Sequence, residues 1–175
     1  MGLIQLFISY RILKRHKADI EKFSKMTANE IYSLNSEDFC AAIETLVSAE
    51  AYKDPTANEA QITFAVVDNF HFEIMNGGLC EFFANSGRGC APFVAHSLDK
   101  IGAYKTKELF EDFVSRNNID LNNLDSFATK DHDEYVELSN RYPFKEFDEV
   151  YCEIDEVYDL LMEYARANVR ELTER

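Results

Sequence analysis

Residues 69–87 have the sequence NFHFEIMNGGLCEFFANSG, and this stretch decides the fold. A helical pattern of apolar residues runs into Asn-Gly-Gly at residues 76–78 and resumes as a short segment that contains Phe82 and Phe83. Glycine or asparagine after a periodic segment adopts the left-handed conformation without a Cβ clash, so the triplet predicts the end of a helix. The aromatic residues beyond it should be buried.

The segment that leads into this stretch has the pattern of a central helix over residues 56–76. Thr56 is a candidate N-cap, and Glu59 three residues later completes a capping box. The predicted buried face comprises Ile62, Val66, Val67, Phe70 and Ile74.

Two further helices are predicted, one before and one after the central helix. The first begins at Ser36, a good N-cap, and carries a buried face as far as residue 47. The second begins near Pro92, because proline is tolerated in the first helical turn, and it ends at Gly102.

The remainder of the chain is also predicted to be helical, with one interruption. Residues 105–116 repeat the helical pattern, whereas residues 117–145 are predicted to be a loop with a short helix near 132–139. A last helix is predicted over residues 147–172, about seven turns long. The expected fold is therefore all-α, a compact single-domain bundle of about six to eight helices with a long C-terminal helix.

The composition fits one helical domain. A chain of 175 residues suffices for a single hydrophobic core, 46% of the residues are hydrophobic, and only 6 Gly and 3 Pro are available for turns. The four cysteines form no CxxC pair and follow no cleavable signal, which favours a reducing, cytoplasmic location.

Charge is the strongest compositional feature. The formal net charge is -14. Residues 1–25 are basic, with six Lys/Arg against two acidic side chains, so the rest of the chain carries 12 basic against 30 acidic side chains. Such a field disfavours direct nucleic-acid binding by the body and favours basic protein partners, although acidity also keeps an ordinary protein soluble.

The N-terminal segment, residues 1–30, differs from the helical domain predicted for residues 31–175. Residues 3–13 (LIQLFISYRIL) are apolar and run into the basic sequence RILKRHK. This run is shorter than the ~20 residues that a spanning helix needs, so stable membrane insertion is not expected. We expect an N-terminal helix that docks on the domain or on a partner subunit, and a membrane-surface helix is the alternative.

Metal binding and catalysis find little support in the residue spacing. His71, Cys80, Cys90 and His96 lie close in the sequence but match no standard zinc pattern. Neither cysteine has the sequence context of a known nucleophile. We therefore expect no catalytic, metal or cofactor-binding residues and a protein that is not an enzyme.

The alternative to a binding protein is a small-ligand-binding protein or a hydrolase. It would use a pocket beside the turn at residues 76–78. The polar groups of that pocket would be Glu73, Asn76, Asn85 and Arg88.

Acidic side chains near the C-terminus are the better candidates for a binding surface. Residues 130–163 hold twelve acidic against three basic side chains. Carboxylates at i+4 and i+7 spacing share one side of a helix, at a density comparable to that of DNA phosphates. The candidate partner-binding residues are Asp131, Asp133, Glu134, Glu137, Asp148, Glu149, Asp155, Glu156, Asp159 and Glu163. A solvated helix face without a partner is the alternative.

The turn and its surroundings resemble the signature of a known family. The residues that carry the resemblance are Glu73, Asn76, Gly77, Gly78, Phe82, Phe83, Asn85 and Gly87, followed by Ile101, Gly102 and Ala103. They are similar to the bacterial DNA-mimic protein family over about residues 56–172. Leu79 and Glu81 depart from the residues usual at their positions, and the N-terminal segment lies outside the pattern.

The resemblance implies an all-helical, often dimeric protein whose signature residues are structural. For members that mimic DNA it also implies an acidic surface that occupies the DNA site of a transcription factor. Combined with the charge, it leads to the hypothesis of a cytoplasmic, non-catalytic protein that binds the basic DNA-binding surface of a transcriptional regulator or a defence nuclease. An immunity-type or membrane-associated accessory protein, addressed by residues 1–17, is a further alternative.

Overall fold

Helices account for all the regular structure that the computed structural model describes, which spans residues 18–173. The all-helical prediction is confirmed for that range, because it contains no strand. Residues 18–23 are helical. The helices after them are α1 (Ala28–Tyr32), α2 (Ser36–Leu46), α3 (Glu59–Ala84), α4 (Ala91–Ile101), α5 (Tyr104–Arg116), α6 (His132–Arg141), α7 (Phe144–Ile154), α8 (Val157–Ala167) and α9 (Val169–Thr173). Short 3-10 helices lie at Ala51–Lys53, Ser86–Cys90 and Asp125–Phe127.

Helix α3 lies at the centre and contacts α4, α6, α7, α8 and α9. Its buried aromatic rings pack on one another in edge-to-face geometry, which aromatic quadrupoles favour. The Phe70 ring centroid lies 5.2 Å from that of Phe82 and 5.4 Å from that of Phe110 of α5. Phe83 is fully buried, and its ring centroid lies 4.9 Å from that of Phe127. These rings join both halves of α3 to the surrounding helices in one core.

The prediction that the Asn-Gly-Gly triplet ends the helix is wrong. The triplet interrupts the helix at one residue, Gly78. Gly78 has φ 80° and ψ -178°, a conformation that is essentially restricted to glycine, and helical geometry resumes directly afterwards. The interruption leaves the backbone N–H of Leu79 without a helical acceptor. The Asp148 carboxylate of α7 accepts that N–H at 2.8 Å. A side chain from a distant helix therefore caps the second half of α3.

Two predicted N-caps are wrong by one or two residues. Helix α2 is capped by Asn35, whose side chain accepts the N–H of Asp38, and not by Ser36. Helix α3 begins at Glu59 with a capping box between Asn58 and Gln61. In both cases a neighbouring asparagine takes the place of the predicted serine or threonine, since asparagine is at least as good an N-cap.

The long C-terminal helix predicted for residues 147–172 is wrong, because the structure divides this region into α7, α8 and α9. Asp155 ends α7 in the left-handed conformation, with φ 41°. Asn168 separates α8 from α9. Apolar spacing continues across both breaks, so the core-facing residues stay buried while the helix axis changes. The short helix predicted near 132–139 is confirmed as α6.

The start of the described chain packs on the same core as the rest. Phe23 and Ile31 are buried in it, and the boundary proposed at residue 30 falls inside α1. The expected N-terminal helix involves residues 1–17, which lie outside the described residues. No helix within residues 18–173 is long and apolar enough to cross a membrane.

We expect Gly78→Ala to destabilise the protein more than Gly102→Ala. Both glycines have positive φ, so Gly102→Ala should lose about 1–2 kcal/mol to left-handed strain, and Gly78→Ala should lose more because its ψ of -178° lies in a region essentially restricted to glycine. A Cβ at residue 78 would also meet the Asp148 carboxylate, 2.8 Å from its Cγ, whereas residue 102 has nothing within 4 Å. Urea unfolding should show an additional loss of at least about 1 kcal/mol for Gly78→Ala. Equal losses would contradict a role for Asp148 at the kink.

Candidate functional site

The ten candidate acidic residues fall into two groups. Seven are exposed, and three, Glu134, Asp148 and Glu156, are partly buried. The exposed residues are Asp131, Asp133 and Glu137 around α6, Glu149 on α7, Asp155 between α7 and α8, and Asp159 and Glu163 on α8.

Two of the partly buried residues have carboxylates that accept backbone N–H groups of other helices. Asp148 accepts the Leu79 N–H, and burial raises the pKa of its carboxyl while this hydrogen bond lowers it. Glu156 accepts the backbone N–H and the hydroxyl of Thr106, both at 3.3 Å, and so caps α5, whose N-cap residue Ala103 provides no side-chain acceptor. We therefore assign both residues to the fold and not to the surface.

Most of the exposed carboxylates have no cation beside them. Among residues 18–173, Asp133, Glu137, Asp155, Asp159 and Glu163 form no ion pair, whereas Glu134 lies 3.9 Å from Lys130 and Glu149 lies 3.6 Å from Lys145. Asp131 also forms no ion pair there, but its carboxylate accepts the Glu134 N–H and caps α6, so we assign it to the fold. We call the group Asp133, Glu137, Asp155, Asp159 and Glu163 the acidic surface.

Neighbouring residues of α3 position the helices that carry this surface. Tyr135 of α6 lies against Cys80, and Asp148 of α7 is bonded to Leu79. Because these anchoring points are consecutive in α3, α6 and α7 are both attached to α3 next to the kink at Gly78. Asp159 and Glu163 are one turn apart on α8, which follows α7 directly and also packs on α3.

The polar signature residues contact each other and the ends of helices. Asn85 donates from its amide to Glu73 at 2.8 Å and to Glu81 at 3.0 Å. Arg88 donates to the carbonyl oxygens of Ala84 and Asn85 at the end of α3. Asn76 donates to the carbonyl of Phe72 within the same helix. Three of the side chains proposed for a ligand pocket, Glu73, Asn85 and Arg88, are thus bonded near the C-terminal end of α3. A Cβ added at Gly87 would lie 3.5 Å from the Glu73 side chain.

The histidines and cysteines considered for zinc or for catalysis have separate partners. His71 Nδ1 lies 2.8 Å from the Tyr151 hydroxyl, and His96 Nε2 lies 3.4 Å from Glu59. Burial raises the pKa of Cys80 to about 11 and that of Cys90 to about 12, so neither is a thiolate near neutral pH. Among residues 18–173 no group of three or more His, Cys, Asp or Glu side chains is arranged to hold a metal ion.

The spacing of apolar residues did not predict one feature beside the acidic surface, an exposed apolar patch. Phe72 and Met75 of α3 are 62% and 61% exposed, and Tyr158 of α8 is 45% exposed. His71 links Met75 to Tyr158, because its ring lies 5.9 Å from that of Tyr158 and it shares with Met75 a pocket of about 130 Å³. Phe72 is next to Met75, one turn away on α3. Asp155 and Glu156 line the same pocket. The sequence did contain a sign of this patch, because Phe72 and Met75 do not belong to the predicted buried face of α3.

A second pair of carboxylates borders the patch at Tyr158. The Tyr158 hydroxyl donates to Cys40 Sγ at 3.3 Å, and the Cys40 thiol donates to Glu44 at 3.0 Å. Asp68 lies one turn before Phe72 on α3, and burial, with a smaller contribution from the Glu44 charge, raises the pKa of Asp68 to about 6. Neither Glu44 nor Asp68 forms an ion pair among the described residues.

Fold and surface together define a helical protein with an acidic, partly apolar exterior. The chain belongs to the DMP19-like protein family, whose model matches residues 56–168. The match covers α3 to α8 and so includes the kink at Gly78, the cap at Asp148 and the acidic surface. No curated protein and no solved structure matches the chain significantly.

We expect Asp68→Asn to stabilise the protein at neutral pH and to have no such effect in acid. A carboxyl whose folded pKa of about 6 exceeds the unfolded value near 3.9 binds protons on folding, so stability falls as pH rises through this window. Removing it should raise the free energy of unfolding by about 2 kcal/mol at pH 8 and by nearly nothing at pH 4.

Urea unfolding of the wild type and Asp68→Asn between pH 4 and pH 8 measures this difference. Glu44→Gln is the matched variant, since losing the Glu44 charge should move the transition of Asp68 to lower pH. A stability difference that is constant over the whole range would contradict the assignment.

Proposed function

We propose that this protein is a non-catalytic DNA mimic that binds the basic DNA-binding surface of another protein and competes there with DNA. The observation that carries the proposal is the acidic surface within the DMP19-like part of the chain, five exposed carboxylates without a cation partner among the described residues. A transcriptional regulator or a defence nuclease in the cytoplasm is the proposed class of partner.

Electrostatics support this function over a purely solubilising role. A carboxylate that already holds a lysine or arginine offers little to a partner, whereas an unpaired one adds to the attractive field. Rigid support matters as well, because a mimic must present charges at fixed spacing. Two consecutive residues of α3 anchor α6 and α7, and the Glu156 cap ties the start of α8 to α5.

The broken C-terminal region does not form the single straight row of charge that one long helix would present. A single helix over residues 147–172 would place its carboxylates along one axis. The left-handed residue Asp155 ends α7, and Asp159 and Glu163 lie on the separate helix α8. A duplex also presents its phosphates on two strands that curve around an axis, with one charge per ~1.7 Å of helix length.

We expect neutralising four residues of the acidic surface to weaken partner binding at least tenfold, or about 1.4 kcal/mol. The variant is Asp133→Asn, Glu137→Gln, Asp159→Asn and Glu163→Gln, all exposed and without ion pairs among residues 18–173. The partner is first captured from native lysate on the immobilised full chain and eluted with duplex DNA. Affinity is then measured against salt concentration, and the variant should have a shallower salt dependence.

A matched control changes the net charge by the same amount elsewhere. It carries Glu37→Gln, Glu108→Gln, Glu111→Gln and Glu171→Gln, which are exposed on α2, α5 and α9. This control should keep most of the affinity. If both variants lose the same affinity, net charge alone explains the binding. If duplex DNA does not displace this protein from its partner, DNA mimicry is refuted.

A further inference from the structure

The apolar patch has the composition of a covered surface. Phe72 and Met75 are neighbours one turn apart on α3, and Tyr158 of α8 lies beside His71 of α3; all three are large side chains that are about half exposed or more. Single exposed apolar residues are ordinary, but a cluster rimmed by polar groups marks a contact surface. The neighbouring polar groups here are acidic, with Glu44 and Asp68 near Tyr158 and Asp155 in the pocket beside Met75.

The N-terminal segment of the same chain is complementary to this patch in both respects. Residues 3–13 are apolar, and Arg11, Lys14, Arg15 and Lys17 follow or overlap them. The apolar run of the N-terminal segment could contact the apolar patch, and its four cations could contact the unpaired carboxylates that border the patch. A desolvated carboxyl such as Asp68 would also gain from a nearby cation.

The described chain begins close enough for this contact. The helical segment 18–23 is held on α2 by the Lys22–Asp38 ion pair, with Nζ and Oδ1 3.6 Å apart. Cys40, two residues further on α2 and thus a rise of about 3 Å, contacts Tyr158 of the patch. Seventeen residues reach up to about 55 Å when extended and about 25 Å when helical, and either length exceeds the width of one helix.

We propose that residues 3–17 of this chain occupy the apolar patch, with their basic side chains beside Glu44, Asp68 and Asp155. The segment then covers part of the acidic surface, because Asp155 belongs to both. A basic partner must displace it, so the N-terminal segment acts as a built-in competitor. This regulatory consequence rests on the proposed function, whereas the docking itself does not.

Docking is tested on the full chain without any partner. A nitroxide is attached at Ser9→Cys in a Cys152→Ser background, which leaves Cys40 as the only partly accessible thiol among the described cysteines. Burial raises the pKa of Cys40 to about 11, so it reacts slowly. The methyl groups of the four methionines are labelled with carbon-13. We expect strong broadening of the Met75 signal, relative to the same sample after reduction of the nitroxide.

Two charge-reversed variants of the labelled chain test the electrostatic part. Lys14→Glu with Arg15→Glu should restore most of the Met75 intensity. Lys105→Glu with Arg170→Glu, which are exposed and lack ion pairs among the described residues, should leave the broadening unchanged. Broadening that both pairs remove equally would overturn the specific charge contact.

Mixed samples distinguish the proposed occupant from a second copy of the chain. Nitroxide-bearing chains without carbon-13 are mixed with carbon-13 chains without nitroxide, and no broadening of Met75 is expected. Broadening in the mixture as strong as within one chain would assign the patch to a second copy and overturn the proposal, as would an unaffected Met75 in the doubly labelled chain.

The regulatory consequence has a separate readout. Lys14→Glu with Arg15→Glu should raise affinity for the captured partner at least threefold. If the segment docks but the charge-reversed variant binds the partner no more tightly, the competition is refuted and the docking stands. If the segment docks but no partner binds in a salt-dependent way, the proposed function is refuted and the docking stands.

Discussion

The hydrogen bond from the Leu79 N–H to Asp148 is the constraint on which the arrangement of helices depends. Gly78 breaks the hydrogen-bond ladder of the central helix in the middle of the core, where an unpaired N–H costs free energy. A carboxylate from α7 satisfies it, at the expense of partial burial that raises the pKa of that carboxyl. The kink and the position of α7 are therefore determined together. Because Asp148 accepts the Leu79 N–H, the helix continues after the kink.

Much of what looks functional in the sequence is used by the fold. Glu73, Asn85 and Arg88 form hydrogen bonds at the C-terminal end of α3, and Glu156 caps α5. An acidic protein needs such interactions in any case, since each helix start leaves several N–H groups without acceptors and carboxylates are favourable there. The exposed, unpaired carboxylates that remain are the ones available to a partner, and they lie on helices that these caps hold in place.

The acidic surface and the apolar patch meet at Asp155, where α7 ends. A partner attracted by charge would therefore also encounter exposed side chains of α3 and α8. Long-range charge governs encounter and salt dependence, whereas apolar contact adds affinity that salt does not remove. The basic, apolar N-terminal segment has the same two properties as such a partner, which is why its occupancy of the patch would regulate access to the charge.

Local periodicity alone determined the helical class, the burial of Phe70, Phe82 and Phe83, the helix end at Gly102 and the short helix α6, because these depend on residues within one or two turns of each other. The position of the kink within the glycine pair, the break at Asp155 and the different roles of Asp148 and Asp159 were decided only by tertiary structure. Apolar spacing persists across a break in a helix axis, so periodicity cannot locate it. Two aspartates on similar helix faces look alike in sequence, and only the approach of the Leu79 N–H, 69 positions away in the chain, makes one of them part of the fold.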